Sequence, residues 1–283
     1  MFLAVEQEKI YRMKNKRSFL FILIALLINL KAMAGWVITQ QSYDSDEGAE
    51  TALIETIYLQ DNIMKVAQPE MVTVFNIHAE TITIMSPVKK VYWTGKVADY
   101  KKEIKSAMRS AMAEQLKSAA EEQKEMIRKM YKGMMESIDN PSKFAGEEPE
   151  EYELEIEKTG DKDRIAGKLA HKYAIKVNGS IKEEAWLSES DRPHEEFDIG
   201  KFYEVFGDFT SQAGTNAFYQ NHEKYMEFSK KGFPLKSVNY FGGYESISEV
   251  TDLKRERIDA SEFTPPADYQ KVSLLEIGLE EQE

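Results

Sequence analysis

The side chains that most often do chemistry are sparse in this sequence and do not gather. The four histidines, His78, His171, His194 and His222, are scattered, and none stands four residues from another, so no helical zinc-ligand pair exists. Cysteine is absent. That removes disulfides, thiolate metal sites, a cysteine nucleophile and a lipid-modified amino-terminal cysteine together. No Gly-x-Ser-x-Gly elbow occurs, and no phosphate-cradling glycine loop follows a strand. Asp44, Asp46 and Glu47 are oxygen ligands of the kind calcium takes, but without the glycine and distal glutamate of a loop built for it they read as an ordinary solvated turn. His194 beside Glu195 and Glu196 offers acid and base groups, but neighbours in a loop rarely converge on one substrate. The expectation is a protein that is not an enzyme and uses no cofactor or metal.

Apolar binding is the chemistry that the residue types do offer. Six of the 13 methionines lie between Asp99 and Ile138, where apolar residues recur mostly in steps of four. Methionine is unbranched and polarizable, so a surface made of it accommodates several apolar shapes. The candidate ligand-binding residues are Met108, Met112, Leu116, Ile127, Met130 and Met134, joined by Phe202 and Phe206 from the aromatic stretch Phe197–Tyr244. The ligand would be a lipid or a lipidated protein. The same stripe and the same aromatics also read as an ordinary core filled from within. Because steps of four exceed the 3.5-residue period of a coiled coil, a zipper dimer is the weaker reading.

The elements that would position these residues are legible from periodicity. Strand-like runs at Gly35–Gln41, Thr51–Gln60, Ile63–Ala67, Met71–Asn76, Thr81–Ser86 and Val91–Lys96 are separated by short turn-forming links, which makes antiparallel neighbours and a meander. Residues 99–138 follow as helix, either one bent element or two meeting near the polar run Glu121–Glu125, and Asp139-Asn140-Pro141 ends it. Lys143 to Glu151 is an acidic link. Strand periodicity returns at Tyr152–Glu157, Ala170–Val177 and Ser180–Ser188, the last two joined by Asn178-Gly179, a strong type I′ hairpin signal. Short helices over Phe202–Phe209 and Tyr219–Met226 precede a last hairpin, Leu235–Tyr240 and Ser246–Ile258. Residues 276–283 form a loose acidic tail. The predicted class is α+β: a strongly curved antiparallel sheet, an unclosed barrel, with the long amphipathic helix and the shorter ones covering its concave face.

Composition sets the address. The chain has 283 residues and a formal charge of −12, and six basic residues but only two acidic ones fall in the first 34, so the remainder is more acidic still. Such a surface repels phosphate backbones, and nucleic acid is not an expected partner. Basic Met13–Arg17, apolar Phe19–Ile28 and Ala32-Met33-Ala34 have the layout of a secretory signal peptide over residues 1–34, with Met13 as the expected start and cleavage after Ala34. The ten-residue apolar run is short for a bilayer span, which takes about 20 residues. The predicted product is one exported domain over residues 35–275, periplasmic or extracellular and without a lipid anchor.

Several stretches in order carry a family resemblance. Ile57-Tyr58-Leu59-Gln60-Asp61-Asn62, Thr81-Ile82-Thr83-Ile84, Lys89-Lys90-Val91-Tyr92-Trp93, Ile165-Ala166-Gly167, Glu184-Ala185-Trp186-Leu187-Ser188, Gly232-Phe233-Pro234-Leu235 and Phe263-Thr264-Pro265-Pro266-Ala267-Asp268-Tyr269 resemble a secreted bacterial family known only as a domain of unknown function. That family is similar to the periplasmic lipoprotein-carrier (LolA-like) architecture. The resemblance implies an envelope protein with an apolar groove and brings no catalytic residues. The long charged helix departs from the simple carriers and is large enough to fill such a groove.

Overall fold

The strand runs pair into one sheet. A computed structural model describes residues 34–139, 151–212, 218–241 and 243–278. The segment read as a signal peptide, Ala34 apart, lies outside the described residues, as does nearly all of the acidic link after Asp139. Six strands come first: β1 (Ala34–Asp44), β2 (Leu53–Gln60), β3 (Ile63–Ala67), β4 (Val72–Asn76), β5 (Thr81–Ser86) and β6 (Val91–Lys96). Five more follow the helical segment: β7 (Leu154–Ile165), β8 (Lys168–Val177), β9 (Ser180–Ser188), β10 (Phe233–Phe241) and β11 (Tyr244–Arg257). With β12 (Gln270–Lys271) they form a 12-stranded sheet in the order β12-β6-β5-β4-β3-β2-β1-β11-β10-β9-β8-β7. The order ends in two edges, so the sheet is not closed into a barrel.

Two antiparallel meanders make the sheet, and β1 with β11 is the seam between them, running from Ala34↔Arg257 to Asp44↔Ser246 with one irregularity at Thr39/Gln40. Tight turns set the registers. Asp61 and Asn62, Ala166 and Gly167, and Asn178 and Gly179 all have both central φ angles positive, the requirement of a type I′ turn. Asn178-Gly179 is the hairpin the sequence predicts; Ala166-Gly167 serves the same purpose with a less permissive first residue. At Gly232 the limit is space, because a Cβ there would lie 2.2 Å from the Ser188 carbonyl oxygen.

Among the described residues there are five α-helices: α1 (Val97–Ser118), α2 (Glu121–Asp139), α3 (Ile199–Gln212), α4 (Glu223–Ser229) and α5 (Leu274–Gly278). The helical segment is therefore two helices, broken at Ala119-Ala120. They pair antiparallel, since Lys105 near the start of α1 forms an ion pair with Asp139 at the end of α2. The Asp99 carboxylate accepts from the Lys96 N–H at 3.1 Å, satisfying a donor ahead of the first turn of α1. Topologically the hairpin belongs to the connection between β6, next to one edge of the sheet, and β7, at the other edge.

The main core sits on one face of the sheet and joins both meanders. It holds Trp36, Ile38, Phe75, Ile82 and Trp93 from the first, and Ile165, Leu235, Val250 and Leu253 from the second, with Phe197, Phe202 and Phe206 filling the space above them. A neighbouring cluster puts Tyr219 and Phe228 over Leu154, Tyr173, Ile175 and Leu187. On the opposite face of the first meander the chain after β11 acts as a strap: Phe263 and Tyr269 pack on Val72, Val74 and Met85. Salt bridges Lys65–Glu262 at 2.6 Å and Lys90–Asp268 at 2.9 Å hold it there. The strap then rounds the edge as β12, parallel to β6, and ends in α5. That helix takes in Glu276 to Gly278, which the sequence reading assigned to a loose tail.

Candidate interaction surface

The helical hairpin departs most from the sequence expectation. Only its root rests on the sheet core, through Val97, Tyr100 and Ile104, and α1 has no fully buried residue. The covering of the sheet by the long helix is thus restricted to that root, and α3 with the Phe197 turn does the filling. An apolar stripe fixes which face of a helix avoids water. It does not fix what covers that face, and here much of it meets the other arm of the hairpin.

The eight expected ligand-binding residues divide accordingly. Phe202 and Phe206 are buried and pack edge-on to Phe75, with ring centroids 5.3 and 5.4 Å apart. Both belong to the main core. Met108, Met112, Leu116 and Ile127 are half-buried along the hairpin. Met130 and Met134 face outward, 48% and 42% exposed, and Met126, which the sequence reading left out of the site, is the most exposed at 69%. Met126, Met130 and Met134 step by four along α2, so they form one row. Tyr131 and Ile138 on the adjoining side of the same helix are buried. The signal for Met126 was its spacing from Met130.

Charge distinguishes the hairpin from the rest of the molecule. Residues 97–139 carry nine basic and eight acidic side chains, whereas the remainder of the chain after Ala34 has 22 basic against 39 acidic. Several of the hairpin charges pair locally, as in Lys124–Glu121 and Lys117–Glu114. The methionine row therefore lies on a nearly neutral arm of a strongly acidic protein.

Elsewhere, polar groups are placed to hold structure. Glu183 on β9 is 3% exposed and receives the hydroxyls of Tyr219, 3.3 Å away, and Tyr225, 3.1 Å away. Burial raises its pKa, against the lowering effect of hydrogen bonds from Tyr225, Tyr219 and Gln220. Burial and the Glu183 charge push both tyrosines well up. The cluster fastens α4 and the turn before it to the sheet. Its signal was available in the sequence, because Glu183 shares strand parity with Ala185 and Leu187. Asp191 opposes its burial with hydrogen bonds from Ser188, Lys168 and Ser190, and the outcome is a lowered pKa. Ser188 and Asp191 are buried, whereas the Lys168 side chain is 39% exposed. An open cleft of about 630 Å³ is lined by Glu151, Tyr152, Glu153, Asn178 and His222. The His222 Nδ1 is occupied as the cap of α4, accepting from the Lys224 N–H at 3.1 Å. His194, the acid–base candidate of the sequence, lies in a 3₁₀ turn, and burial lowers its pKa.

Among the described residues no group of three or more His, Asp or Glu side chains is placed to hold a metal ion, and no helix is long and apolar enough to cross a membrane. No curated protein matches the sequence. Among solved structures, PNGF-II is similar at 12% identity over 86% of this chain and 32% of its own, with a TM-score of 0.33. MucB in complex with MucA(peri) gives 12% identity over 86% and 58% of the two chains at a TM-score of 0.37. The Pseudomonas aeruginosa MucA/MucB complex gives 13% over 85% and 59% at 0.35. The chain thus spans about a third of PNGF-II and less than two thirds of MucB, and scores this low bear on no function. Membership rests on sequence: the model of the family described as a domain of unknown function (DUF4412) matches residues 93–269, more than half of the chain, and the protein belongs to that family.

Proposed function

We propose that the protein is a non-enzymatic, exported interaction module that engages an apolar partner through the helical hairpin. One observation carries this reading. Aromatic side chains of the protein pack above the sheet, while two of the four methionines expected to line that space, Met130 and Met134, stand on the outside of α2. Exposed apolar side chains in a row, on an arm whose charge is nearly balanced, are what a docking surface requires. The LolA-like groove belongs to this proposal only in a filled form.

A lipid-like ligand, or the lipid of a lipidated partner, is the second reading. It is favoured by the half-buried Met108, Met112, Leu116 and Ile127, which leave the seam of the hairpin incompletely covered. One experiment addresses both. Native mass spectrometry of protein purified from the envelope is expected to show no bound lipid, and a fluorescent fatty acid is expected not to be taken up. Copurifying lipid whose uptake is lost in a folded Met112→Glu/Met130→Glu variant would replace the interaction reading with the carrier reading.

A further inference from the structure

We infer that the partner of the methionine row is a second copy of this chain, the two hairpins packing face to face, α2 against α2, into a four-helix bundle. The inference rests on the interaction reading above and names its partner. Charge argues for it first. Outside the hairpin every copy carries 39 acidic and 22 basic residues after Ala34, so two copies repel over most of their surface. Residues 97–139 are balanced to within one charge, and there the repulsion lapses.

Area argues for it next. With 22 and 19 residues, the helices are about 33 and 28 Å long at 1.5 Å per residue. Two helices side by side, each about 10 Å across, present a face that buries on the order of 1,000 Å² in total when matched to its copy. That reaches the roughly 1,000 Å² that a specific interface needs.

Charge also fixes the direction. Parallel hairpins would bring the two acidic bodies side by side. Antiparallel hairpins put the bodies at opposite ends of the bundle, about 30 Å apart, several times the screening length of ~8 Å at physiological salt. A two-fold axis between antiparallel α2 helices passes near Met130, the middle of the row, and sets Met126 of each copy against Met134 of the other.

The test uses the exported protein in analytical ultracentrifugation at 1–100 µM, in low and in physiological salt. A dimer is expected in both, weakened at least ~100-fold by Met126→Glu/Met130→Glu, because the seam would then bury unpaired carboxylates. Both positions are largely exposed in the single chain, so circular dichroism should show an unchanged fold. The absence of native cysteine allows a second measurement. Met130→Cys should cross-link to itself on mild oxidation, and Met126→Cys should link to Met134→Cys but not to itself. A dimer that survives the double glutamate substitution, or a Met126→Cys self-link, would overturn the inference. So would a wild-type monomer at 100 µM, and bis-ANS then separates the two claims. Dye binding lost in the double variant leaves the docking surface standing with another partner, whereas dye binding unchanged removes that reading as well.

Discussion

Glu183 shows how a single residue sets a pH dependence. The groups that face it are Ile175 and Asn239 from the flanking strands, Tyr219 and Gln220 from the turn, and Tyr225 from α4, none of them charged at neutral pH. Its carboxyl is held above the ordinary value of 4.5 by burial. A raised folded pKa means that the contribution to stability is fully present below the unfolded value and is lost as pH rises through the folded one. Glu183→Gln keeps an acceptor for the tyrosines and removes the charge. Its thermal midpoint should exceed that of the wild type at pH 8, and the difference should close as the pH falls toward 4. Glu183→Ala should behave differently, costing about 1–3 kcal/mol even at low pH, because two buried hydroxyls lose their acceptor. Thermal melts of the three proteins at pH 4, 6 and 8 check both; equal midpoints of wild type and Gln variant at pH 8 would refute the assignment. Asp191 has the opposite sign, and its contribution is lost as pH falls.

At the scale of elements, the C-terminal strap meets the hairpin root in the main core, through Leu274 and Ile277, and one side chain adds hydrogen bonds to that contact. Glu103 on α1 accepts from the Trp93 indole N–H at 2.8 Å and from the Leu274 N–H at 2.9 Å, joining β6, α1 and α5. Glu103→Ala should cost about 1–3 kcal/mol. Hydrogen exchange should show the amides of residues 274–278 losing protection first, and protection unchanged there would mean that Glu103 does not hold the strap. This clamp was illegible in the sequence, since a two-residue parallel pairing such as Gln270–Lys271 has no period to read. The strands were legible because Val, Ile, Thr and aromatic residues alternate and Asn178-Gly179 dictates its turn. The helix break at Ala119-Ala120 falls directly before the polar run Glu121–Glu125, near which the sequence allows two helices to meet, although alanine itself is the best helix former. Antiparallel return of α2 along α1 sets it. Of the candidate site, the methionines in steps of four were legible as an apolar row, whereas aromatic density alone did not say that Phe202 and Phe206 belong to the main core.

At the scale of the whole molecule, the question is whether two meanders make one cooperative body. The sheet manages its edges separately. β12 covers β6, while β7 carries Lys158, Asp161, Lys162, Asp163 and Arg164 along a bulged stretch and has its Leu154 carbonyl capped by Lys224 at 3.0 Å. Charge and irregularity of this kind discourage another chain from adding a strand. Cooperation depends on the centre, where β1 pairs with β11 and Ile38, 1% exposed, lies in the core cluster shared by both meanders. Ile38→Ala should cost about 2–5 kcal/mol, the range for truncating a large buried aliphatic side chain. Because the cavity lies in the seam, the loss should not be confined to one side. Hydrogen exchange on the variant should show β5 and β8 losing protection by the same factor, and calorimetry a single transition at a lower temperature. Were β8 to keep its protection while β5 lost it, the second meander would be a folding unit of its own, stabilised by Tyr219 and Phe228 over Leu154 and Ile175, and the seam an interface between two units rather than the middle of one core.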